Sequence, residues 1–343
     1  MTSTDISTPG RPTIRDVAAL SGSSLKTVSR VVNGERGVSP ELEQRVRLAI
    51  ERLGYRHNLG ASNLRRTDSK TATIGVLLEN VANPFSAALH RSIENVARQH
   101  GVVVFAGSLD EDGEREHELV EAFSSRRVDG LIIVPSGPDQ SYLNRERAAG
   151  TALVFVDREP QFLDGDSVVT DNHAGAHACV SHLVQHGHRR IAILSDRVSI
   201  STAQKRQTGA VEALLKAGIP ISERLMRVDL TSIAQAHAAT ADVIQAEAPT
   251  AIFASQNLVT IGAIRALHEL GMQHEIAIIG FDDFLLAELL DPAITVVAQD
   301  PTTMGRIAAE ELFARLGGDR SPSRHHVVPT NLIVRGSGEI PPR

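Results

Sequence analysis

A regular alternation of apolar runs and amphipathic segments limits most strongly what this chain can fold into. From residue 74 onward, about a dozen short runs rich in Val, Ile, Leu and Ala recur, and amphipathic stretches lie between most of them. Continuous apolar strands separated by helices are typical of parallel sheets covered on both faces. About a dozen strands exceed what one open sheet usually holds. We therefore expect an α/β body made of two doubly wound, parallel-sheet subdomains.

The apolar runs and the stretches between them give the expected elements of this body. Strands are expected at 74–78, 102–106, 130–134, 153–156, 168–170, 191–194, 226–230, 251–254, 277–281, 294–298, 327–328 and 332–334. Helices are expected between most of them, for example at 86–100, 118–125, 174–186, 206–217 and 258–270. Apolar residues are consecutive in the expected strands and recur every three or four residues in the expected helices, which supports this division.

Composition excludes several other classes of protein. Only 3% of the 343 residues are aromatic, so Val, Ile, Leu and Ala must fill the cores. A single cysteine, Cys179, excludes a disulfide scaffold and a zinc site built on several thiolates. No apolar run approaches the roughly 20 residues of a membrane span. Residues 1–12 are polar and lack an apolar signal core, so we expect a flexible tail there and a cytoplasmic protein.

Charge is distributed unevenly along the chain. The formal net charge is −6, which alone argues against binding to nucleic acid. Residues 1–70, however, hold 12 basic and 7 acidic residues, whereas the remainder holds 23 basic and 34 acidic residues. A basic N-terminal region before an acidic body is the asymmetry expected when only one domain meets a polyanion.

The basic region reads as three short helices with recognisable ends. Thr13 and Ser24 each precede a helix as N-caps, and the second helix is expected to end at Gly34. Ser39 and Pro40 open the third helix, with proline in its first turn. This region is therefore expected to form a small all-α domain.

The first two helices have the spacing of a helix-turn-helix motif. Ala18 is small where the helices approach, Gly22 sits at the turn, and Val28 packs back between the helices. The outward side chains of the second helix are Leu25, Lys26, Ser29 and Arg30. We expect Arg30 to pair with guanine in the major groove, and Ser24 and Thr27 to hold phosphates. An ordinary helical hairpin with a solvated face is the alternative.

Three motifs in this region resemble the DNA-binding headpiece of the LacI-type family of bacterial transcription regulators. They are 13–18 (TIRDVA), 27–34 (TVSRVVNG) and 38–55 (VSPELEQRVRLAIERLGY). The resemblance implies a sequence-specific contact with double-stranded DNA. The DNA contacts expected in the headpiece are Thr13, Ser24, Leu25, Lys26, Thr27, Ser29, Arg30 and Asn33.

Residues 58–66 are similar to the hinge helix of the same family, which enters the minor groove. Leu64 matches the leucine that members of the family wedge between central base pairs. Asn58, Ala61 and Arg65 complete the contacts that this resemblance implies. Gly60 departs from the pattern because glycine inside a helix costs about 1 kcal/mol relative to alanine. A simple basic linker is the alternative.

The body carries no motif of a nucleotide-binding or acyl-transfer enzyme. No expected strand is followed by GxGxxG, GxxxxGK[ST] or GxSxG. The acidic stretch 110–114 lacks the ligand spacing of a calcium loop. Cys179, His182 and His186 share a helical face, but a structural role is preferred over metal binding. We expect no metal, no cofactor and no enzymatic activity.

The body resembles the effector domain that this family shares with periplasmic sugar-binding proteins. In that fold the ligand lies between the subdomains, at the carboxyl ends of the strands. The effector contacts implied here are Phe85, Asp157, Arg158, Asp171, Arg206, Gln256, Asp282 and Gln299. Carboxylates, arginine and amides can bracket the hydroxyl groups of a sugar. For each aspartate, capping a helix is the alternative, and Gln256 stands where the family usually has asparagine.

These inferences combine into a domain division and a function. The function expected is that of a homodimeric transcription repressor, which binds a palindromic operator and responds to a small carbohydrate-like effector. The alternative is a solute-binding protein or a sugar-converting enzyme with an incidental basic domain. The expected divisions are a tail at 1–12, the headpiece at 13–57, the hinge at 58–72, the effector domain at 73–336 and a tail at 337–343. The two subdomains are expected at 73–169 with 301–325, and at 170–297 with 327–335.

Overall fold

The computed structural model describes residues 12–33, 35, 37–56 and 70–343. The chain divides into two compact units, Met1–Thr71 and Ala72–Arg343. The expected helix end at Gly34 and most of the expected N-terminal tail lie outside the described residues. The expected hinge contacts Asn58, Ala61, Leu64 and Arg65 also lie outside them.

The first unit begins with three helices whose starts follow from local capping. They are α1 (Ile14–Ser21), α2 (Leu25–Val32) and α3 (Pro40–Leu53). The Asp16 carboxylate accepts hydrogen bonds from the Thr13 backbone N–H and hydroxyl, both at 2.7 Å. The Ser24 hydroxyl accepts from the Thr27 backbone N–H at 3.1 Å. The start of each helix agrees with the sequence prediction, and α3 has its proline in the first turn.

A small apolar core holds the three helices together. Its buried members are Val17, Ala18, Val28, Val31, Val46 and Ala49. Between α1 and α2, Gly22 has a φ of 62°, a left-handed backbone that glycine adopts without steric penalty. Arg45 of α3 donates from Nη2 to the Ser21 carbonyl at 2.6 Å, which satisfies the end of α1. The predicted close approach at Ala18 and the inward position of Val28 are confirmed.

The second unit alternates strands and helices along the chain. Its elements are β1 (Thr73–Leu78), α4 (Pro84–Gln99), β2 (Val103–Ser108), α5 (Gly113–Ser125), β3 (Gly130–Ile133), α6 (Asn144–Ala148), β4 (Ala152–Val156), β5 (Asp166–Thr170), α7 (Asn172–Gln185), β6 (Ile191–Leu194), α8 (Ser201–Lys216), β7 (Met226–Arg227), α9 (Ile233–Glu247), β8 (Ala251–Ala254), α10 (Asn257–Glu269), β9 (Ala277–Phe281), β10 (Thr295–Ala298), α11 (Pro301–Leu316), β11 (His325–Val328) and β12 (Asn331–Ile333). Each expected strand overlaps one of these strands. Among the described residues, no helix combines the length and apolar character needed to cross a bilayer.

The strands form two six-stranded sheets, one in each subdomain. The first has the order β11-β5-β4-β3-β1-β2 and is parallel throughout. The second has the order β12-β10-β9-β8-β6-β7. Separate apolar clusters cover the two faces of each sheet. The expected α/β class, with a helical headpiece and two subdomains built on parallel sheets, is confirmed.

The chain end differs from the expected division in three respects. Residues Val327 and Val328 pair with β5, so they belong to the first subdomain and not to the second. Strand β12 is antiparallel to β10, so the second sheet is not parallel throughout. The expected tail at 337–343 is packed: Ser337 is fully buried and donates to the Ile278 carbonyl at 2.6 Å.

Helices α7 and α8 pack closely because one position on α8 carries no side chain. A Cβ atom on Gly209 would lie 2.1 Å from the His173 carbonyl oxygen. Any larger residue would therefore push the two helices apart. This packing matters for the site, since α7 and α8 both contribute side chains to it.

Candidate functional site

Helix α2 presents a polar, basic surface on the first unit. Leu25 is 46% exposed, and Lys26 is also exposed. One open concavity is lined by Ile14, Arg15, Leu25, Lys26, Ser29, Arg30 and Glu35. The four side chains predicted to face outward from α2 therefore line the same surface.

Arg30 is held at this surface by two features of the segment that follows α2. Its Nε atom lies 3.5 Å from the Glu35 carboxylate, and its side chain is 36% exposed. A Cβ atom on Gly37 would lie 2.8 Å from Arg30 Nη2, so glycine leaves room for the guanidinium. The guanidinium is thus pre-positioned near solvent with an exposed carboxylate beside it.

The remaining predicted DNA contacts of the headpiece lie at helix ends. Ser24 shares a hydroxyl–hydroxyl hydrogen bond of 2.9 Å with Thr27 at the start of α2. Asn33 follows α2 and donates to the Ser29 hydroxyl at 3.4 Å. Thr13 caps α1 and is exposed. Helix N-termini attract phosphate through free N–H groups and the helix dipole, so Thr13 and Ser24 suit backbone contacts.

The centre of the second unit is a buried arginine between the subdomains. Arg206 of α8 is 6% exposed, and its Nε donates to Asn172 Oδ1 at 2.7 Å. Its Nη1 donates to the Ser255 carbonyl at 2.8 Å and lies 3.6 Å from Asp282 Oδ2. The guanidinium carbon lies 3.9 Å from the centroid of the Phe281 ring. These contacts fix the plane of the guanidinium.

Two aspartates occupy equivalent positions in the two subdomains. Asp157 follows β4 and Asp282 follows β9, and both have left-handed backbones, with φ of 68° and 70°. The Asp157 backbone N–H donates to the Val168 carbonyl of β5 at 2.9 Å, and the Asp282 backbone N–H donates to the Val297 carbonyl of β10 at 2.8 Å. In each subdomain, one of these two carboxylates therefore lies at the carboxyl end of the sheet.

The environment of each aspartate differs. Gln299 donates from Nε2 to Asp282 Oδ1 at 2.6 Å, while its own Oε1 is buried without a hydrogen-bond donor among the described residues. Burial raises the pKa of Asp157, against the opposing effect of Arg158 and Arg206. Repulsion from Asp282 adds to the rise in the pKa of Asp157, so carboxylates of the two subdomains interact across this cleft.

Arg158 binds a carboxylate of its own subdomain. Its Nη1 donates to Glu111 Oε2 at 2.6 Å and to the Pro135 carbonyl at 3.1 Å, and its Nη2 donates to Glu111 Oε1. Its Nε lies 3.5 Å from Asp157 Oδ2 without a hydrogen bond. The side chain of Arg158 is only 9% exposed.

Two further carboxylates face the same cleft, Glu79 after β1 and Asp196 after β6. Burial, together with repulsion from Glu111, raises the pKa of Glu79 to about 7. Burial also raises the pKa of Asp196, and Glu111 adds to this effect. Sequence analysis missed Glu79 and Asp196. Glu79 directly follows a predicted strand and Asp196 lies two residues after another, which is the signal that could have identified them.

Two polar contacts join the subdomains across the cleft. Asn257 Nδ2, at the start of α10, donates to Asn83 Oδ1 at 2.9 Å, and both residues are buried. Lys205 of α8 lies 2.9 Å from Glu159, and both side chains are about half exposed. The buried amide pair was not among the predicted contacts. Asn83 also accepts from the Phe85 backbone N–H at 3.1 Å, which fixes the start of α4.

Three of the predicted effector contacts have other local roles in the structure. Asp171 is exposed and accepts from the Ala174 backbone N–H at 2.8 Å, so it caps α7, and its neighbour Asn172 contacts Arg206 instead. Gln256 caps α10 through the Leu258 backbone N–H at 2.9 Å. Phe85 is half-buried against the core of the first subdomain.

The histidine-rich helix α7 makes protein contacts. Cys179 is fully buried in the core, and His182 contacts the Glu339 carboxylate. His186 lies beside His182, with ring centroids 4.4 Å apart. Within the described residues no group of three or more His, Cys, Asp or Glu has a geometry suited to a metal ion.

Comparison with known proteins agrees with both units. Residues 13–58 match the family of bacterial regulatory proteins called the lacI family, and residues 180–338 match the periplasmic binding protein-like domain. The transcriptional regulator PtxS of Pseudomonas aeruginosa is 32% identical over 337 residues, covering 96% of each chain.

Two solved structures extend the likeness to the fold. A Lac repressor dimer bound to operator and the anti-inducer ONPF has a TM-score of 0.82 at 28% identity, covering 96% of this chain and 99% of that one. A complex of the regulator CelR with cellobiose has a TM-score of 0.69 at 30% identity, covering 95% of this chain and 100% of that one.

The fold and the site define a helix-turn-helix transcriptional regulator with an effector-binding domain. The chain belongs to the LacI family of bacterial transcription regulators. The predicted family and the predicted class of function are therefore confirmed.

Proposed function

We propose that this protein is a homodimeric repressor whose affinity for a palindromic operator is set by a carbohydrate-like effector in the cleft. The observation that carries this proposal is the convergence of charged side chains from both subdomains around Arg206 and the aspartates Asp157 and Asp282. A ligand that bridges these groups contacts both halves at once. It therefore favours one relative orientation of the subdomains.

The DNA side of the proposal rests on α2. Arg30 is assigned to a guanine in the major groove, with Lys26 beside it, because arginine matches the two acceptors of guanine. Ser24 and Thr13, at helix N-termini, are assigned to phosphates. The roles of Asn58, Ala61, Leu64 and Arg65 in the minor groove remain predictions from the resemblance to the family.

The effector side of the proposal rests on polar groups at the carboxyl ends of the strands. Asn172 takes the place of Asp171, because Asn172 is buried on Arg206 whereas Asp171 is exposed. The proposed contacts are Phe85, Asp157, Arg158, Asn172, Arg206, Gln256, Asp282 and Gln299. Carbohydrate is favoured because fixed donors and acceptors alternate here, and the CelR relative binds cellobiose.

Effector binding is proposed to act through contacts that join the subdomains. The Asn83–Asn257 hydrogen bond and the Lys205–Glu159 ion pair are made only when the two halves lie close together. A ligand that changes their spacing shifts this equilibrium by its difference in affinity for the two orientations. The first subdomain, which begins at β1 directly after the hinge segment, carries that shift toward the DNA-binding region.

A surface on the second subdomain supports the dimer. Leu285 is 83% exposed and Leu289 is 74% exposed, in the segment after β9. Neighbouring exposed apolar side chains of this size mark a contact with another chain. The Lac repressor relative is a dimer. We expect Leu289→Asp to shift the protein toward monomers in sedimentation velocity, with Leu48→Asp, an exposed leucine of the headpiece, as the matched control.

One experiment tests the whole proposal. Binding-site selection from random duplex DNA should return a palindrome, and a carbohydrate panel should then contain a compound that changes affinity for it in a gel-shift assay. Recovery of no consensus sequence would contradict the proposal. Because the DNA is intracellular, this function also requires the protein to be cytoplasmic.

The alternative classes make different predictions. A solute-binding protein would bind a sugar without any preference for one duplex over another. A sugar-converting enzyme would turn over a member of the panel, which product analysis by chromatography would reveal. We favour the regulator because its relatives are transcriptional regulators and because α2 presents a basic face that neither alternative needs.

A further inference from the structure

The charges of the cleft do not balance. Seven side chains that interact electrostatically form what we call the cleft cluster: Glu79, Glu111, Asp157, Arg158, Asp196, Arg206 and Asp282. Five of these groups are carboxylic acids and only two are guanidiniums. At a pH above about 7, where Glu79 is ionised, such an excess of carboxylates repels a further negative charge.

Both guanidiniums already face carboxylates of the protein. Arg158 makes a bidentate contact with Glu111, and Arg206 lies 3.6 Å from Asp282. A ligand carboxylate or phosphate would have to compete with these partners. It would also approach Glu79 and Asp196, for which no ion pair occurs among the described residues.

Two buried polar atoms at the cleft make no hydrogen bond within the described residues, although one of them, Arg158 Nε, lies 3.5 Å from Asp157 Oδ2; a ligand with hydroxyl groups would suit both. Arg158 Nε, on a side chain that is 91% buried, is a donor without an acceptor, and Gln299 Oε1 is an acceptor without a donor, among the described residues. A hydroxyl group can serve either atom, since it both donates and accepts. The ionised group of a sugar acid or sugar phosphate has no proton to donate to Gln299 Oε1, so only a hydroxyl group of such a ligand could serve that atom.

We infer that the effector is a hydroxyl-rich compound without an anionic group, and that Glu79 and Asp196 exclude sugar acids and sugar phosphates. This inference rests on the proposed role of the cleft as the effector site. Glu79 lies at the carboxyl end of β1 in the first sheet, and Asp196 lies near the carboxyl end of β6 in the second. A ligand bound between the subdomains therefore faces one carboxylate from each of them. Ligand hydroxyls or an ammonium group donate to these oxygens.

Matched compounds test the exclusion. The panel pairs cellobiose with cellobionate, and glucose with glucosamine, glucuronate and glucose 6-phosphate, each at millimolar concentration and at pH 8, where Glu79 is ionised. Thermal shift and calorimetry are measured on the full-length protein, on Glu79→Gln/Asp196→Asn and on Glu121→Gln. The last variant removes one negative charge from an exposed position on α5.

We expect the unsubstituted protein and Glu121→Gln to respond only to neutral or ammonium-bearing members. The double variant should bind the anionic derivative of a responding sugar about tenfold more tightly or better, because two carboxylates no longer repel the anion. The inference is overturned if the unsubstituted protein binds an anionic member as tightly as its neutral partner. It is also overturned if the double variant gains nothing, or if all three proteins ignore the whole panel.

Two outcomes separate this inference from the proposed function. Release of the selected operator by glucuronate or glucose 6-phosphate would refute the exclusion of anions and leave the regulator intact. Selection of no operator sequence, with a cleft that still prefers neutral sugars, would refute the repressor and leave the exclusion standing.

Discussion

Helix α2 of the first unit and the cleft of the second unit use charge in opposite ways. On α2, Lys26 is exposed and Arg30 keeps 36% of its side chain accessible, with one exposed carboxylate nearby. In the cleft, Arg158 and Arg206 are less than a tenth exposed, and each is bound by several groups of the protein. A surface that meets a hydrated polyanion keeps its cations in solvent, whereas a cleft that encloses a small molecule fixes its charges in advance.

This difference predicts how each region responds to mutation. Removing a buried, paired charge leaves its partner uncompensated in a medium of low dielectric, so the effect spreads to stability and to ligand binding. Removing an exposed cation of α2 affects DNA binding and little else. Four substitutions, taken from the largest expected effect to the smallest, test the comparison.

Arg206→Ala should have the largest effect. We expect it to destabilise the effector domain by about 3–5 kcal/mol and to abolish the response to effector, because Asp282 and Asn172 lose their shared partner. Arg206→Lys, which keeps the charge, should retain the fold and still weaken the response. Urea unfolding and effector titration against operator complexes measure both quantities. Lys216→Ala, an exposed position on the same helix, is the control, and an unaltered response in Arg206→Ala would remove this residue from the site.

Glu79→Gln should change how stability depends on pH. Folding raises the pKa of Glu79 from 4.5 to about 7, so the folded state holds a proton that the unfolded state releases at lower pH. Stability therefore falls as pH rises from about 4.5 to 7, by up to about 3 kcal/mol for this group. The glutamine variant should lack this loss, so its advantage over the unsubstituted protein should be larger at pH 8 than at pH 5.5 in urea unfolding. An advantage that is independent of pH would show that Glu79 is ionised throughout.

Arg30→Ala should weaken specific DNA binding by about 1–3 kcal/mol and relax the preference at one base position. Lys26→Ala is the comparison, because loss of a phosphate contact weakens all sequences alike and lowers the salt dependence of binding. Binding-site selection followed by salt titration distinguishes these outcomes. If Arg30→Ala leaves the selected sequence unchanged, α2 does not read bases through this residue.

Asp171→Ala should have the smallest effect. It removes the side-chain cap of α7, which costs about 1 kcal/mol of stability. Effector affinity should stay unchanged because Asp171 is exposed and Asn172 makes the contact with Arg206. A calorimetric titration that shows lost effector affinity at unchanged folding would return Asp171 to the site and weaken the contrast between exposed and buried charge.

The sequence predicted elements well where their causes are local. The starts of α1, α2 and α3 follow from Thr13, Ser24 and Ser39, each next to the helix that it precedes. All the expected strands have a counterpart. The central strands are buried and mostly apolar along their length, and the partly exposed edge strands β2 and β11 still contain consecutive Val residues. Local chemistry also explains why α2 could be identified as the outward helix from its own residues.

Contacts between distant segments could not be predicted in the same way. Nothing around Val327 indicates that it pairs with β5, more than 150 residues earlier, because an edge strand of either sheet would have the same composition. The contact of Asn172, rather than Asp171, with Arg206 has a similar reason, since it depends on which side chain α8 meets. Glu79 and Glu111 form one cluster only through the folded sheet, so their combined charge cannot be read from either segment.

The position of β11 has a consequence for how the protein is made. The first sheet is mostly synthesised early, yet its last strand is made only after five of the six strands of the second sheet. Until then, β5 remains an open border whose backbone groups can pair with the wrong partner. Premature stop codons anywhere before residue 325 would therefore damage both halves of the molecule, including the half that has already been translated.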